Sequence, residues 1–318
     1  MMKSVLSPWM KAQLVIGAVV VALLAMAPKY LSDTSALFFI MFWVVMAESF
    51  NMFAGLTGYV NFGHVVFYAM GGYTAIVLMI DGLSPIVAVL AGGGASALLA
   101  VGISLPTTRL RGAYFAIATL SINEAAFVIF DNWGAVNSAT GLTLPISDYL
   151  PTTEYYAMLA IAAACVATAY LMTRSGFGVA LRAIRQQEAT ANSIGINAAL
   201  YKMIALVVSG AFAGLAGAVA IWQISIVDPP SAFNVTITIE SISMAMLGGL
   251  GTVVGPVLGA PILYEVIQYL DFHYPNFYLV PVGVIIIAVV LLIPAGIVGA
   301  AKRIYVRAWS ARGGKGNG

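Results

Sequence analysis

The chain has 318 residues, of which 61% are hydrophobic and 8% are charged, and its formal net charge is +2. An ordinary soluble domain carries about 25% charged residues and fewer apolar ones. The composition therefore excludes a soluble enzyme, a nucleic-acid-binding protein and a disordered chain, and it predicts an all-α polytopic membrane protein. The single cysteine, Cys165, excludes a disulfide framework.

Ten apolar segments are candidate membrane spans. The first, residues 12–28, follows Lys3 and Lys11 and resembles a signal peptide, but Pro28 disfavours cleavage after Ala27. We expect a retained helix there, with cleavage as the alternative. The other nine segments lie at 35–54, 64–80, 85–105, 112–130, 155–173, 203–224, 237–249, 252–270 and 277–299.

Two regions are expected to be broken or short. Residues 51–64, between the second and third spans, are rich in Gly, Thr and Asn, which favour turns and helix ends. The eighth span is short and follows Pro229 and Pro230, so residues 237–256 are expected to form a broken or re-entrant element. Non-helical backbone within a membrane is tolerated only where protein buries it or where it lines a water-filled cavity. Both regions are therefore candidates for the functional site.

The charges predict the orientation. If the N-terminus is cytoplasmic, thirteen of the fourteen Lys and Arg residues fall on inner segments and only Lys29 lies outside. Cations concentrate on the cytoplasmic side, and an odd number of spans would invert every later loop. We therefore expect ten helices with both termini cytoplasmic, in one transmembrane domain over residues 1–318. Its cytoplasmic parts would be the loop 174–202 and the basic tail 301–318.

Three carboxylates, those of Glu48, Glu124 and Glu265, fall well inside predicted spans, away from the span ends. Buried charges are costly in lipid, so such groups line a polar route or serve as protonated or hydrogen-bonded structural groups. Both interpretations stay open, and the first is favoured for Glu124 because Thr119, Ser121 and Asn123 precede it.

His64 has no Cys, Asp or second His nearby, so the sequence predicts no metal site there. We expect this side chain to hydrogen-bond the broken segment rather than to titrate during transport. Glycines at spacings of three and four are expected to pack helices closely: Gly210, Gly214, Gly217, Gly251, Gly255 and Gly259.

The loop 174–202 has helix-forming composition from Gly178 to Ala191, with Arg182, Arg185 and Gln186 on one face. It is either a solvated basic loop or a docking helix for a cytoplasmic partner. The sequence contains no Walker-type phosphate-binding motif.

Four blocks of sequence, at residues 51–73, 110–124, 181–196 and 248–260, occur in an order that is typical of one family. They include Gly63-His64 with Phe67, Leu110-Arg111-Gly112, and Gly248-Gly249-Leu250-Gly251. With these blocks the chain resembles the LivM-type permeases of branched-chain amino acid ABC importers.

The resemblance implies partners and site residues. Such a permease pairs with a second, LivH-like permease, two cytoplasmic ATP-binding subunits and a periplasmic substrate-binding protein in the bacterial inner membrane. ATP and Mg would be bound by the partner ATPases, leaving this chain without cofactor or metal. The substrate path would involve Glu48, Asn51, Gly55, Asn61, Gly63, His64, Phe67, Tyr73, Asn123 and Glu124, and ATPase coupling would involve Arg182, Arg185, Glu188 and Gly195.

Other functions stay open. Related importers carry urea, short amides or other small solutes in place of branched-chain or other small amino acids. A proton-driven secondary transporter could use Glu48, Glu124 or Glu265 as its relay. A membrane-embedded enzyme is disfavoured because the sequence contains neither HExxH nor GxSxG, and a channel is disfavoured because it has no filter-like repeat.

Overall fold

A computed structural model describes residues 8–31, 33–145, 150–274, 280, 283, 284, 287 and 296–300. Within these residues the chain is almost entirely helical, which confirms the predicted all-α polytopic class. The long helices are α1 (Pro8–Tyr30), α2 (Ser35–Phe50), α3 (His64–Ile80), α4 (Pro85–Thr107), α5 (Ala113–Asn132), α6 (Pro151–Arg174), α9 (Ala198–Ile224) and α12 (Val254–His273).

The shorter helices are α7 (Gly176–Gln186), α8 (Glu188–Ser193), α10 (Pro229–Ala232) and α11 (Val235–Gly248). A π-helical turn, Asn51–Gly55, continues α2, and two 3₁₀ turns occupy Gly134–Val136 and Ser138–Thr140. Two short antiparallel strands, β1 (Leu142–Thr143) and β2 (Ile226–Val227), pair Leu142 with Val227.

Helices cover nine of the ten predicted spans, and the last, 277–299, lies largely outside the described residues. In the described part, five helices are long and apolar enough to cross a bilayer: Ser35–Gly55, Pro85–Thr107, Ala113–Asn132, Pro151–Arg174 and Ala198–Ile224. The fourteen residues of α11 extend only about 21 Å at 1.5 Å per residue, short of a hydrocarbon core of about 30 Å. The count of ten spans stays a prediction.

Local sequence sets where several helices begin. Pro85 and Pro151 occupy first-turn positions, where a missing backbone N–H costs nothing. Side chains then cap other helices: the Asn197 side chain accepts from the backbone N–H of Leu200 at the start of α9, and Asn234 accepts from that of Thr236 at the start of α11.

The centre of the fold is a glycine-lined packing of α3, α4 and α9. A Cβ on Gly71 would overlap the backbone of Gly214, and one on Gly217 would overlap the carbonyl oxygen of Tyr68. Across the same contact, the Ser96 hydroxyl donates to the carbonyl oxygen of Phe67 at 2.8 Å. Small residues let these backbones touch, as expected when van der Waals packing drives helix association in lipid.

Gly214 and Gly217 therefore lie at the helix contacts that the sequence suggests, and Gly210 lies against Phe67 and Ala100. Gly255 and Gly259 lie where α12 meets the end of α11, against Gly248 and Met244. Gly251 is different, because it occupies the turn between α11 and α12 with φ near +84° rather than a helix. Gly251 therefore contacts the Gly55 backbone from a turn instead of packing two helices together.

The helix directions separate two ends of the molecule. One end, called the basic end here, carries the connections 58–63, 108–112 and 175–197, with Arg109, Arg111, Arg182 and Arg185. The opposite, acidic end carries the connections 81–84 and 225–234 and the strand pair, with Asp81, Asp131 and Asp228.

Candidate functional site

The predicted path residues fall mainly on α2, its π-helical turn and α3, and they are buried: Glu48, Asn51, Gly55, Asn61, Gly63, His64, Phe67 and Tyr73. Asn123, on α5, is buried as well, but Glu124 is exposed. The sequence grouped Glu124 with Thr119, Ser121 and Asn123. Thr119 and Asn123 face inward, because they are four residues apart, whereas Ser121 and Glu124 lie on the exposed side.

Of the three carboxylates well inside predicted spans, only Glu48 is enclosed, with 0% of its surface exposed. Glu265, like Glu124, is exposed on its helix. One oxygen of Glu48 lies 3.4 Å from the Asn51 amide nitrogen, and its other oxygen has no hydrogen-bond partner among the described residues. Among these three residues, Glu48 is therefore the one whose carboxyl lies with the buried polar side chains at the end of α2.

Asn51 links the two broken regions of the chain. Its amide oxygen accepts from the backbone N–H of Gly251 at 2.7 Å, and its amide nitrogen donates to the carbonyl oxygen of Thr252 at 3.0 Å. A Cβ on Gly55 would overlap the Gly251 backbone nitrogen, so the π-helical turn and the turn 249–253 touch directly. The two breaks that the sequence suggests separately, at 51–64 and 237–256, form one contact.

His64 is the first residue of α3, and its side chain contacts the end of α2. Its Nε2 atom is 3.0 Å from the Ser49 hydroxyl, and its ring packs edge-on against Phe50 and Phe67. The next backbone N–H, of Val65, donates to the Thr238 hydroxyl of α11. The partner of the His64 ring is thus a residue of α2, two positions before the broken segment 51–64, and not the segment itself. No group of three or more metal-binding side chains occurs in the described part of the chain.

The two arginines of the predicted docking helix lie on α7 and bind carbonyl groups of their own chain. Arg185 donates to the Gly55 carbonyl oxygen at 2.6 Å, at the end of the π-helical turn. Arg182 donates to the Thr173 carbonyl oxygen at 3.0 Å, near the end of α6. The buried face of α7 carries Leu181 and Ile184, so the helix is amphipathic and attached to the membrane helices.

Glu188 forms an internal cluster at the basic end. Its carboxylate accepts hydrogen bonds from the Tyr59 hydroxyl and from the Lys202 ammonium at 3.1 Å. Lys202, which is only 1% exposed, also donates to the Thr108 carbonyl oxygen at 2.8 Å and lies over the Tyr59 ring. Glu188 therefore connects α8 to α9 and to the connection 58–63 that precedes α3. Its side chain is half-buried and does not project into solvent.

The charge state of this cluster follows from its contacts. Partial burial by itself would raise the pKa of the Glu188 carboxyl. Hydrogen bonds from Tyr59 and Lys202, together with the charges of Lys202 and Arg111, outweigh burial and hold that pKa below its usual value of 4.5. Burial and the adjacent carboxylate raise the pKa of the Tyr59 hydroxyl. The cluster is therefore a charged carboxylate with a neutral phenol at neutral pH.

Sequence reasoning missed Tyr59 and Lys202. Lys202 was placed in a cytoplasmic loop, but it lies in the first turns of α9, with its side chain buried. A lysine just before an apolar span is typical of the cytoplasmic side of a membrane protein. Its position in the sequence does not indicate that it pairs with a glutamate fourteen residues away. Gly195, the last of the predicted coupling residues, lies in the turn after α8 with φ near +89°.

A pocket of about 480 Å³ opens at the basic end between three elements. Its walls are the connection after the π-helical turn, the start of α5 and the junction of α7 with α8, and they include Tyr59, Phe62, Ala116, Arg185 and Glu188. The pocket therefore lies beside both the Arg185 contact with Gly55 and the Glu188 cluster.

At the acidic end, four rings form what is called the aromatic cluster here: Tyr73, Phe130, Trp133 and Phe233. The Tyr73 and Phe130 ring centroids are 4.7 Å apart, those of Phe130 and Phe233 are 5.1 Å apart, and Tyr73 stacks on Phe233 at 6.2 Å. The amide of Asn123 donates to the Phe233 carbonyl oxygen at 3.1 Å. Tyr73 and Asn123, two predicted path residues, are thus brought to one place.

Comparison with known proteins agrees with the resemblance seen in the sequence. A family model described as "Branched-chain amino acid transport system / permease component" matches residues 34–290. Two curated relatives are named high-affinity branched-chain amino acid transport system permease protein LivM. The one from Escherichia coli K12 is 24% identical over 290 residues, covering 81% of this chain and 68% of the relative.

The second relative, from Salmonella typhimurium LT2, is 25% identical over 256 residues, covering 70% of this chain and 60% of the relative. The match thus spans about two thirds of the length of these proteins. Both are transport permeases by name rather than enzymes. No solved structure matches the chain significantly. Because the family model covers most of its length, the chain belongs to the family of permease components of branched-chain amino acid transport systems.

Proposed function

We propose that this chain is the permease subunit of an ABC importer for branched-chain or other small amino acids. With a second, LivH-like permease it would form the translocation path, supplied by a periplasmic binding protein and driven by two cytoplasmic ATP-binding subunits. Family membership and the names of the two relatives support the transport class. ATP and Mg belong to the partner subunits in this proposal, because this sequence has no phosphate-binding motif.

The proposed topology has ten spans in the bacterial inner membrane, in a single domain over residues 1–318. The basic end faces the cytoplasm and so do both termini, with the coupling loop 174–202 and the tail 301–318 on that side. The separation of Arg109, Arg111, Arg182 and Arg185 from Asp81, Asp131 and Asp228 supports this orientation.

The observation that carries the mechanism is the 2.6 Å hydrogen bond from Arg185 to the Gly55 carbonyl oxygen. It connects α7, which lies outside the candidate spans, to the break that ends α2. When the ATPase subunits move against α7 and α8, this bond transmits the displacement to the π-helical turn. Glu188 and Lys202 transmit it in parallel to the start of α9.

The displacement then reaches the substrate path. Asn51 holds the turn 249–253 against the π-helical turn, so α11 and α12 follow the end of α2. In this proposal Glu48, Asn51, His64, Tyr73 and Asn123 flank the route, with the 480 Å³ pocket as its cytoplasmic mouth. The route alternates between two rigid arrangements of helices, as packed membrane helices do.

The decisive experiment is purification of this chain from its host in mild detergent, with identification of co-eluting proteins by mass spectrometry. Two ATP-binding subunits and a second permease support the proposal, and reconstituted uptake of labelled leucine with ATP and the binding protein completes the test. A chain that elutes alone and takes up solute without ATP, in a manner abolished by a proton uncoupler, contradicts it. Competition by urea and short amides identifies the substrate class.

A further inference from the structure

Two buried polar atoms, one in the aromatic cluster and one beside it on Asn123, have no hydrogen-bond partner among the described residues. Tyr73 is 2% exposed and Asn123 is 1% exposed, and neither the Tyr73 hydroxyl nor the Asn123 amide oxygen forms a hydrogen bond within the described residues. A buried polar group without a partner costs free energy, so two of them in one place call for a missing partner.

Both atoms belong to one place in the fold. Asn123 and Phe130 are seven residues apart on α5, which puts them on the same face, and Phe130 packs against Tyr73 of α3. Phe233 closes the third side, because its ring stacks on Tyr73 while its backbone accepts the hydrogen bond from Asn123. The two polar atoms therefore lie among aromatic rings that come from three parts of the chain: α3, α5 and the connection between α10 and α11.

The donor and acceptor properties of these two atoms define which ligand groups could form hydrogen bonds with them. A tyrosine hydroxyl can donate to a carboxylate, and an amide oxygen can accept from an ammonium group. The rings of Phe130 and Phe233 offer an apolar wall for a hydrocarbon side chain and π faces for a cation. A zwitterionic α-amino acid with an apolar side chain presents all three features at once.

The acidic residues near the aromatic cluster restrict the class of ligand further. Asp131 follows Phe130 on α5 and Asp228 directly precedes α10, so both carboxylates lie at the acidic end together with the aromatic cluster. Two carboxylates at this end disfavour a ligand with net negative charge, so an acidic amino acid would be rejected. The Tyr73 hydroxyl is a neutral donor, so the ligand's carboxylate would be held without an ion pair and released readily.

We infer that Tyr73, Asn123, Phe130 and Phe233 form an occluded binding site for a small apolar α-amino acid on the outer half of the path. Tyr73 binds its carboxylate, Asn123 binds its ammonium group, and its side chain packs between Phe130 and Phe233 when Phe233 moves away from the other rings. This inference rests on the proposed function and adds the site that the transported solute occupies.

Phe233 is the movable wall of this site. It follows the single-turn helix α10 and precedes α11, so its ring lies on a short connection rather than within a long helix. The Asn123 amide nitrogen holds the Phe233 backbone, while the oxygen of the same amide faces the ligand. Binding of an ammonium group at Asn123 is thereby linked to the position of Phe233.

The test uses the purified complex with its partner subunits, without the binding protein, and measures the thermal unfolding midpoint with and without millimolar L-leucine. L-leucinamide, which lacks the carboxylate, 4-methylpentanoate, which lacks the ammonium group, and L-glutamate are the comparison ligands. Tyr73→Phe removes the hydroxyl and keeps the ring. Tyr170→Phe is the matched control, because its hydroxyl on α6 is also buried without a hydrogen bond among the described residues.

We expect L-leucine to raise the midpoint of the wild-type complex more than any comparison ligand. Tyr73→Phe should weaken leucine binding about tenfold or more, through loss of one hydrogen bond to a charged group, and should bind leucinamide as well as leucine. Tyr170→Phe should behave as wild type. Unchanged leucine binding in Tyr73→Phe, or a wild-type complex that no ligand stabilises, would overturn the site.

The same preparations separate failure of the site from failure of the proposed function. ATP-driven leucine uptake by wild type together with unaltered binding by Tyr73→Phe rejects the site and keeps the importer. Absence of ATP-driven uptake for every amino acid rejects the importer, and the site with it.

Discussion

Asn51 and Gly251, 200 residues apart in the chain, are joined by a 2.7 Å hydrogen bond from the Gly251 backbone N–H to the Asn51 amide oxygen. The other half of the Asn51 amide donates to Thr252, so one side chain satisfies two backbone groups of a turn that has no regular secondary structure. The turn 249–253 is positioned by α2 as much as by its own helices.

Asn51→Asp should weaken this junction, because the carboxylate keeps an acceptor for Gly251 but presents an oxygen to the Thr252 carbonyl. We expect a loss of about 1–3 kcal/mol in the free energy of unfolding and a lower number of solute molecules taken up per ATP hydrolysed. Thermal unfolding of the purified complex and parallel assays of uptake and hydrolysis measure both effects.

The control for Asn51→Asp is Asn132→Asp, at an exposed side chain that donates to the Val128 carbonyl oxygen on its own helix. That variant should shift stability by less than about 0.5 kcal/mol. Equal behaviour of the two variants would show that the contact between the breaks has no special role.

Arg185→Glu should uncouple transport from ATP hydrolysis. The glutamate would face the Gly55 carbonyl oxygen without a hydrogen to donate, so α7 would lose its hold on the π-helical turn. We expect uptake to fall at least about tenfold while hydrolysis by the complex persists, measured in reconstituted vesicles.

Arg182→Glu is the matched comparison for Arg185→Glu, because Arg182 binds the end of the neighbouring helix α6 rather than the break. It should lower stability but change the ratio of uptake to hydrolysis less. If both reversals leave that ratio at its wild-type value, α7 is not the coupling element.

Glu188→Gln should destabilise the folded protein by about 3 kcal/mol at neutral pH, because Lys202 is 1% exposed and would keep an uncompensated charge. Lys202→Met added to Glu188→Gln should recover part of this loss. Unfolding of the two single variants and of the double variant gives the coupling between the two residues.

The same pair predicts a pH dependence. The pKa of Glu188 is lower in the folded chain than the usual 4.5, so its contribution to stability is fully present above about pH 4.5. It is lost as the pH falls further, through the folded-state pKa. The difference in unfolding midpoint between wild type and Glu188→Gln should therefore be constant from pH 5 to 7 and narrow below that range. A difference that instead grows on acidification contradicts the charged pair.

Gly217→Ala should lower the free energy of unfolding by about 3 kcal/mol, because the new Cβ would overlap the Tyr68 carbonyl oxygen between α3 and α9. Gly102→Ala, on α4 with nothing near its Cβ position, should be neutral or stabilise by up to about 1 kcal/mol. Thermal unfolding of both variants compares them, and equal losses would exclude close approach as the reason for the glycine at 217.

The sequence predicts the helices well because long apolar runs and charge asymmetry are local signals. Glu48 and Asn51 could be selected because polar groups are rare in such runs. The direction of a side chain around its helix is not local, which is why Glu124 was grouped with Asn123 although the two lie on different sides of α5. Lys202 looked like an ordinary cytoplasmic cation, and Arg185 was selected without its partner, because the Glu188 carboxylate and the Gly55 carbonyl lie on other segments of the chain.

The π-helical turn at Asn51–Gly55 holds one residue more than an α-helical turn would. This surplus residue keeps Asn51 aligned with the turn 249–253 and, four residues later, keeps the Gly55 carbonyl aligned with Arg185. If the surplus moved past this turn, the side chains beyond it would rotate by about 100° about the helix axis. Both contacts depend on the same turn, so a change in its winding would break them together.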